Sequence, residues 1–152
     1  MYEELAKEWN KSKNFPVSEL THLVNAIMQA YPMIVIANLS KNQYTMLRDE
    51  GFLCKDVLTS GNYDDMIDEN VENIHPNYQQ VFLESFDRQN LIKKFASGAK
   101  EVYAELYQKN RAGIYHWVST HVIRIEDEDG DIMQICLNRV LDGKVERMVS
   151  RK

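Results

Sequence analysis

Residues 114–141 read Ile114-Tyr115-His116-Trp117-Val118-Ser119-Thr120-His121-Val122-Ile123-Arg124-Ile125, then Glu126-Asp127-Glu128-Asp129-Gly130-Asp131, then Ile132-Met133-Gln134-Ile135-Cys136-Leu137-Asn138-Arg139-Val140-Leu141. Two segments rich in β-branched and aromatic residues flank an acidic turn that carries an Asp-Gly signal, the pattern of an antiparallel hairpin. Just upstream, Val102, Ala104 and Leu106 alternate with Tyr103, Glu105 and Tyr107, and Asn110-Arg111-Ala112-Gly113 turns the chain. Three successive strands joined by short turns pair as neighbours.

Before Gly98 the apolar period is helical. Tyr63, Ile67, Val71 and Ile74 form one stripe, opened by Asn62 as N-cap with Asp64 and Asp65 at the positive end of the helix dipole. His75-Pro76 ends that helix and starts another. Val81, Phe82, Phe86, Leu91, Ile92 and Phe95 carry the second helix to Gly98, a C-cap. Further upstream, Met33-Ile34-Val35-Ile36-Ala37 and Gln43-Tyr44-Thr45-Met46-Leu47 flank the turn Ser40-Lys41-Asn42 and read as a second hairpin; Asp49–Leu58 is ambiguous. A lone hairpin is marginal, so the two strand groups must meet in one sheet. The expected fold is α+β, a five-stranded antiparallel sheet with helices on one face.

Ahead of this unit, residues 2–11 read as a short charged helix, broken by Asn14-Phe15-Pro16. Val17, Leu20, Val24, Ile27 and Tyr31 then recur at alternating spacings of three and four. That stripe packs on its own domain or forms the seam of a homodimer. The expected organisation is a helical extension over 1–31, an α+β domain over 32–142 and a connector over 143–152.

Composition narrows the chemistry. The six glycines lie far apart, so no phosphate-cradling glycine loop exists. The net charge of −5 offers no basic footprint for nucleic acid at the level of the whole chain. Two cysteines, Cys54 and Cys136, cannot build a disulfide framework or a cysteine zinc site and suit a reducing cytoplasm. The longest uninterrupted apolar run, 33–37, is too short for a membrane span, so no membrane contact is expected of this chain.

The order strand-strand-helices-strand-strand-strand resembles a PAS domain followed by its PAC segment, over roughly residues 32–142. Ile74-His75-Pro76 is similar to the "HP" step before that family's long connecting helix. Tyr115-His116-Trp117-Val118 resembles its "Y-x-W-V" strand. Arg124 followed by Asp127-Glu128-Asp129-Gly130-Asp131-Ile132 is similar to its "R-x-x-x-D-x-x-G" hairpin. Asp142-Gly143-Lys144-Val145-Glu146-Arg147 stands where the family has "D-I-T-E-x-K". Gly143 and Lys144 depart from that pattern, as does Asn77 where an acidic residue often follows the "HP" step.

The resemblance implies a bacterial sensory-box module without catalysis of its own. It would relay ligand or partner binding through Asp142 and the connector to a C-terminal output domain of the diguanylate cyclase (GGDEF) or histidine kinase kind. Its cofactor is unknown. His75, before a proline at a helix start, reads as a cap or packing residue rather than a haem ligand. Phe52-Leu53-Cys54-Lys55-Asp56 lacks the core of the flavin-adduct motif of light-sensing relatives. Asp127, Asp129 and Asp131 mimic three calcium ligands, but the glycine and the closing glutamate are misplaced, so no metal is expected. A ligand pocket between sheet and helices would be lined by Ile34, Ile36, Tyr44, Met66, Phe82, Trp117, Met133 and Ile135, and large soft side chains could equally fill it. Two readings of other classes remain. One is a small enzyme of the NTF2-like cone fold using His75, Asp64 or Tyr103 as acid/base groups. The other is a pure dimerisation module.

Overall fold

The computed structural model describes residues 17–50 and 58–141. The expectations for residues 2–16, for Cys54, and for Asp142 and the connector lie outside these residues. The chain divides into two compact units, Met1–Tyr31 and Pro32–Lys152. In the first, helix α1 spans Val17–Ala30, and the Tyr31 amide extends it by donating to the Ile27 carbonyl at 3.1 Å. Leu20 is its buried residue, Val17, Val24 and Tyr31 are half-buried, and Leu23 and Ile27 are exposed.

The second unit runs β1 (Met33–Asn38), β2 (Gln43–Asp49), β3 (Ser60–Asn62), α2 (Tyr63–Val71), a 3₁₀ turn (Pro76–Tyr78), α3 (Gln79–Phe86), α4 (Arg88–Ala96), β4 (Glu101–Lys109), β5 (Tyr115–Ile125) and β6 (Met133–Val140). The sheet order is β3-β2-β1-β6-β5-β4, and every pairing is antiparallel. The two strand groups meet where β1 pairs with β6, Met33 opposite Asn138 and Asn38 opposite Met133. The chain therefore enters β1 beside the point where it leaves β6.

Two expectations need correction. The sheet has six strands rather than five, because Ser60–Asn62 adds a short edge strand to β2. With so few residues and two small polar ones around Gly61, it has no apolar alternation to betray it. The single helix expected from Pro76 to Gly98 is two helices, since Asp87 adopts φ −56° and ψ 140° and leaves the helical region. Its carboxylate then caps α4, accepting from the Gln89 and Asn90 amides at 2.8 and 3.1 Å.

Other local devices are those the sequence signals. Asn62 caps α2 by accepting from the Asp65 amide at 3.1 Å. Gly98 takes φ +104°, and the Gly98 and Ala99 amides donate to the Phe95 and Lys94 carbonyls at 3.1 and 3.0 Å, a Schellman closure that favours glycine. Beyond the turn at Val71, Ile74 bridges to Gln108, and the His75 amide donates to the Tyr107 carbonyl at 2.8 Å. This covers one end of the β4 edge.

The core lies between the sheet and α2–α4. Met33, Val35, Ala37, Leu39, Tyr44, Leu106, Val118 and Val122 meet Met66, Ile67, Phe82, Phe86, Leu91 and Phe95 there.

Candidate functional site

Side chains alternate along a strand, so one residue of register decides which face a position serves. On β1 the helix-facing set is Met33, Val35 and Ala37; their partners on β6 are Asn138, Cys136 and Gln134. Across β5 these continue as Thr120, Val122 and Arg124, and on β4 as Ala104 and Val102. The central strands thus turn polar groups inward: Thr120, Gln134 and Asn138 are all buried.

A cavity of about 40 Å³ lies between this face and the helices. Its wall combines Met33, Val35, Val122, Met66, Ile67, Phe82 and Phe86 with Tyr63, Asn70, Gln108, Thr120, Gln134, Cys136 and Asn138, and carries no charged side chain. A drug-sized ligand needs roughly 300 Å³ or more. The space here holds about three water-sized bodies.

Hydrogen bonds stitch the wall. Tyr63 Oη donates to the Phe86 carbonyl at 2.8 Å, with the Gln134 side chain beside it. Burial pushes the Tyr63 hydroxyl well above its usual pKa, with the neighbouring Gln134 side chain opposing. Thr120 Oγ1 donates to Asn138 Oδ1 at 2.8 Å, and Asn138 Nδ2 donates to Cys136 Sγ at 3.3 Å. Burial raises the Cys136 thiol to about 11, so it is neutral and unreactive at ordinary pH.

Of the eight pocket residues expected from sequence, Met66 and Phe82 line this cavity, and Tyr44 lies in the core on the same face of the sheet. Ile34, Ile36, Trp117, Met133 and Ile135 do not belong here. Their register places them on the opposite face: Ile34 pairs with Leu137, Ile36 with Ile135 and Ile123 with Ile135, one residue out of phase with the cavity set. The reason is physical. The run 33–37 is apolar throughout and has no alternation to reveal its parity, while β6 carries its apolar residues on the outer face and its polar ones toward the helices. Tyr63, Asn70, Gln108, Thr120, Gln134, Cys136 and Asn138 were therefore missed. The period-two series Gln134-Cys136-Asn138 was the available signal.

The acid/base candidates sit in other arrangements. Asp64 is held by Arg88, and Tyr103 is exposed and donates to Glu105 Oε2 at 2.7 Å. His75 Nδ1 accepts from the Asn77 amide at 3.1 Å. Its ring lies 5.3 Å from Tyr115, which stacks 5.1 Å from Tyr107; Tyr107 in turn lies 5.4 Å from Trp117. Among the described residues no group of three or more His, Cys, Asp or Glu side chains is placed to hold a metal, and no helix is long and apolar enough to cross a membrane.

Neither protein-family models nor curated proteins match the chain. Solved structures do. A sensory box histidine kinase/response regulator from Burkholderia thailandensis is similar at 10% identity and a TM-score of 0.54, covering 84% of this chain and 90% of that one. The N-terminal domain of a diguanylate cyclase with PAS/PAC sensor from Marinobacter aquaeolei is 14% identical, with a TM-score of 0.45 over 76% of this chain and 97% of that one. The PAS-B domain of Cycle from Drosophila melanogaster is also 14% identical, with a TM-score of 0.45 over 72% and 99%. The chain has a PAS fold.

Proposed function

We propose that this chain is a sensory and interaction module, without catalysis of its own, that relays ligand or partner binding to an output domain joined beyond residue 142 in the parent protein. The observation that carries the reading is the layout of the PAS sheet. β1 and β6 are its central pair, they share the wall of the cavity, and the chain enters the one beside its exit from the other. A change in the cavity wall moves the two strands that lead directly to both flanking segments. The motifs 74–76, 115–118 and 124–132 support the same reading from sequence. Such a relay works only if the bound molecule or partner favours one arrangement of those strands over another.

The output is of the diguanylate cyclase or histidine kinase kind, and the module acts in the cytoplasm as a homodimer. Exposed Leu23 and Ile27 on α1 supply apolar surface for a seam. The test is direct. Purified chain incubated with GTP, cyclic di-GMP or ATP should form no cyclic dinucleotide, hydrolyse none and transfer no phosphoryl group. Turnover above a heat-inactivated control overturns the non-catalytic reading. The relay is tested by joining the chain to its natural output domain and following that domain's activity as the cavity wall is altered at Gln134; an output indifferent to every such change overturns it.

A further inference from the structure

The wall of the cavity holds two buried acceptors without donors. Tyr63 has a single proton and donates it to the Phe86 carbonyl. Its oxygen can then only accept, and the Gln134 side chain lies beside it. Gln134 Oε1 is buried with no donor, on a residue only 1% exposed. Asn70 Oδ1, contributed by α2, is likewise buried with no donor. Both residues line the same cavity. The Thr120 hydroxyl proton and the Asn138 amide are meanwhile engaged within the wall. The site therefore offers acceptors that lack donors. A buried acceptor left unmet is costly, and an ion entering a wall without a counter-charge is costlier still.

We propose that this cavity binds a small neutral molecule that donates hydrogen bonds, of the primary-amide or diol class and about four heavy atoms in size, its donors meeting Gln134 Oε1 and Asn70 Oδ1. This rests on the sensory reading for its purpose, but not for its chemistry.

Three probes of one shape isolate the chemistry: acetamide, acetone and acetate. Each is titrated into the full 152-residue chain and followed by backbone and side-chain amide NMR. Acetamide should shift Asn70, Thr120 and Gln134 saturably in the millimolar range, and acetone and acetate should bind about tenfold more weakly or not at all. Gln134→Met keeps length but removes the acceptor, and should weaken acetamide about tenfold without loss of thermal stability. Acetone or acetate binding as tightly as acetamide overturns the ligand class. No saturable shift with any probe overturns the site, the cavity then holding water alone. Neither result touches a relay driven by a protein partner. Acetamide binding with an unresponsive output, by contrast, overturns the sensory reading and leaves the site intact.

Discussion

Arg88 grips Asp64 with two nitrogens, Nε 3.1 Å from Oδ1 and Nη2 3.3 Å from Oδ2, and donates its third to the Leu39 carbonyl at 3.1 Å. One guanidinium thereby joins the start of α4, the start of α2 and the turn after β1. Leu39 is fully buried in the core cluster, whereas the Asp64 side chain is about half exposed. The ion pair itself is therefore weak, and the planar fork and the bond to a buried carbonyl matter more. Lysine cannot reproduce that geometry. Arg88→Lys should destabilise the fold by about 1–2 kcal/mol in urea melts, and Asp64→Asn by less. Equal stability of Arg88→Lys and the parent chain would show the fork to be incidental.

Asp87 stands between two helices that the apolar stripe reads as one. Its carboxylate accepts from two α4 amides, so Asp87→Ala should cost about 1 kcal/mol and Asp87→Asn only a few tenths. If the alanine variant matches the parent in a denaturant midpoint, the break at Asp87 does not depend on the cap.

Alkaline pH should loosen the cavity wall. The Cys136 thiol is raised by burial from 9.0 to about 11. Above about pH 9 the unfolded chain releases this proton while the folded chain keeps it, so the folded state binds more protons and stability falls as pH rises. Between about pH 9 and 10 the loss from this group is about 1 kcal/mol. Tyr63, raised by burial as well, adds to the decline at higher pH. Cys136→Ala should remove most of the decline between about pH 9 and 10, read as the pH dependence of the urea midpoint. An unchanged slope in that variant would mean that the thiol is not what titrates.

The α1 stripe makes a prediction about assembly. Val24 is half-buried and Ile27 is 38% exposed. In a homodimer seamed by this helix, Val24→Asp and Ile27→Asp should each lower the mass measured by light scattering from two chains toward one. The same mass for variants and parent defeats the seam.

Much of the architecture is legible in the residues themselves. Asn62, Gly98 and the turn at 126–131 announce their elements because caps and tight turns need particular side chains or a positive φ, as at Gly98 and Gly130. The change of period after Gly98 marks the passage from helices to the three-strand meander. The break at Asp87 was illegible because α3 and α4 bury their stripes against the same core, so the apolar rhythm runs on through a residue whose backbone leaves the helix.

By itself, then, the sequence determined the order of elements apart from β3 and the α3–α4 break, the α+β class, most turns and caps, and the absence of a glycine-rich phosphate loop. Each of these is written in local patterns of side-chain chemistry. Only the tertiary structure decided which face of each central strand looks toward the helices. β1 is apolar on both faces, and β6 sends Met133, Ile135 and Leu137 away from the helices and Gln134, Cys136 and Asn138 toward them, against the usual rule that apolar groups face the core. Parity of that kind is fixed by register between β1 and the β5–β6 hairpin, which lie far apart in the chain. With it are fixed the cavity, its unmet acceptors and the molecule they would select.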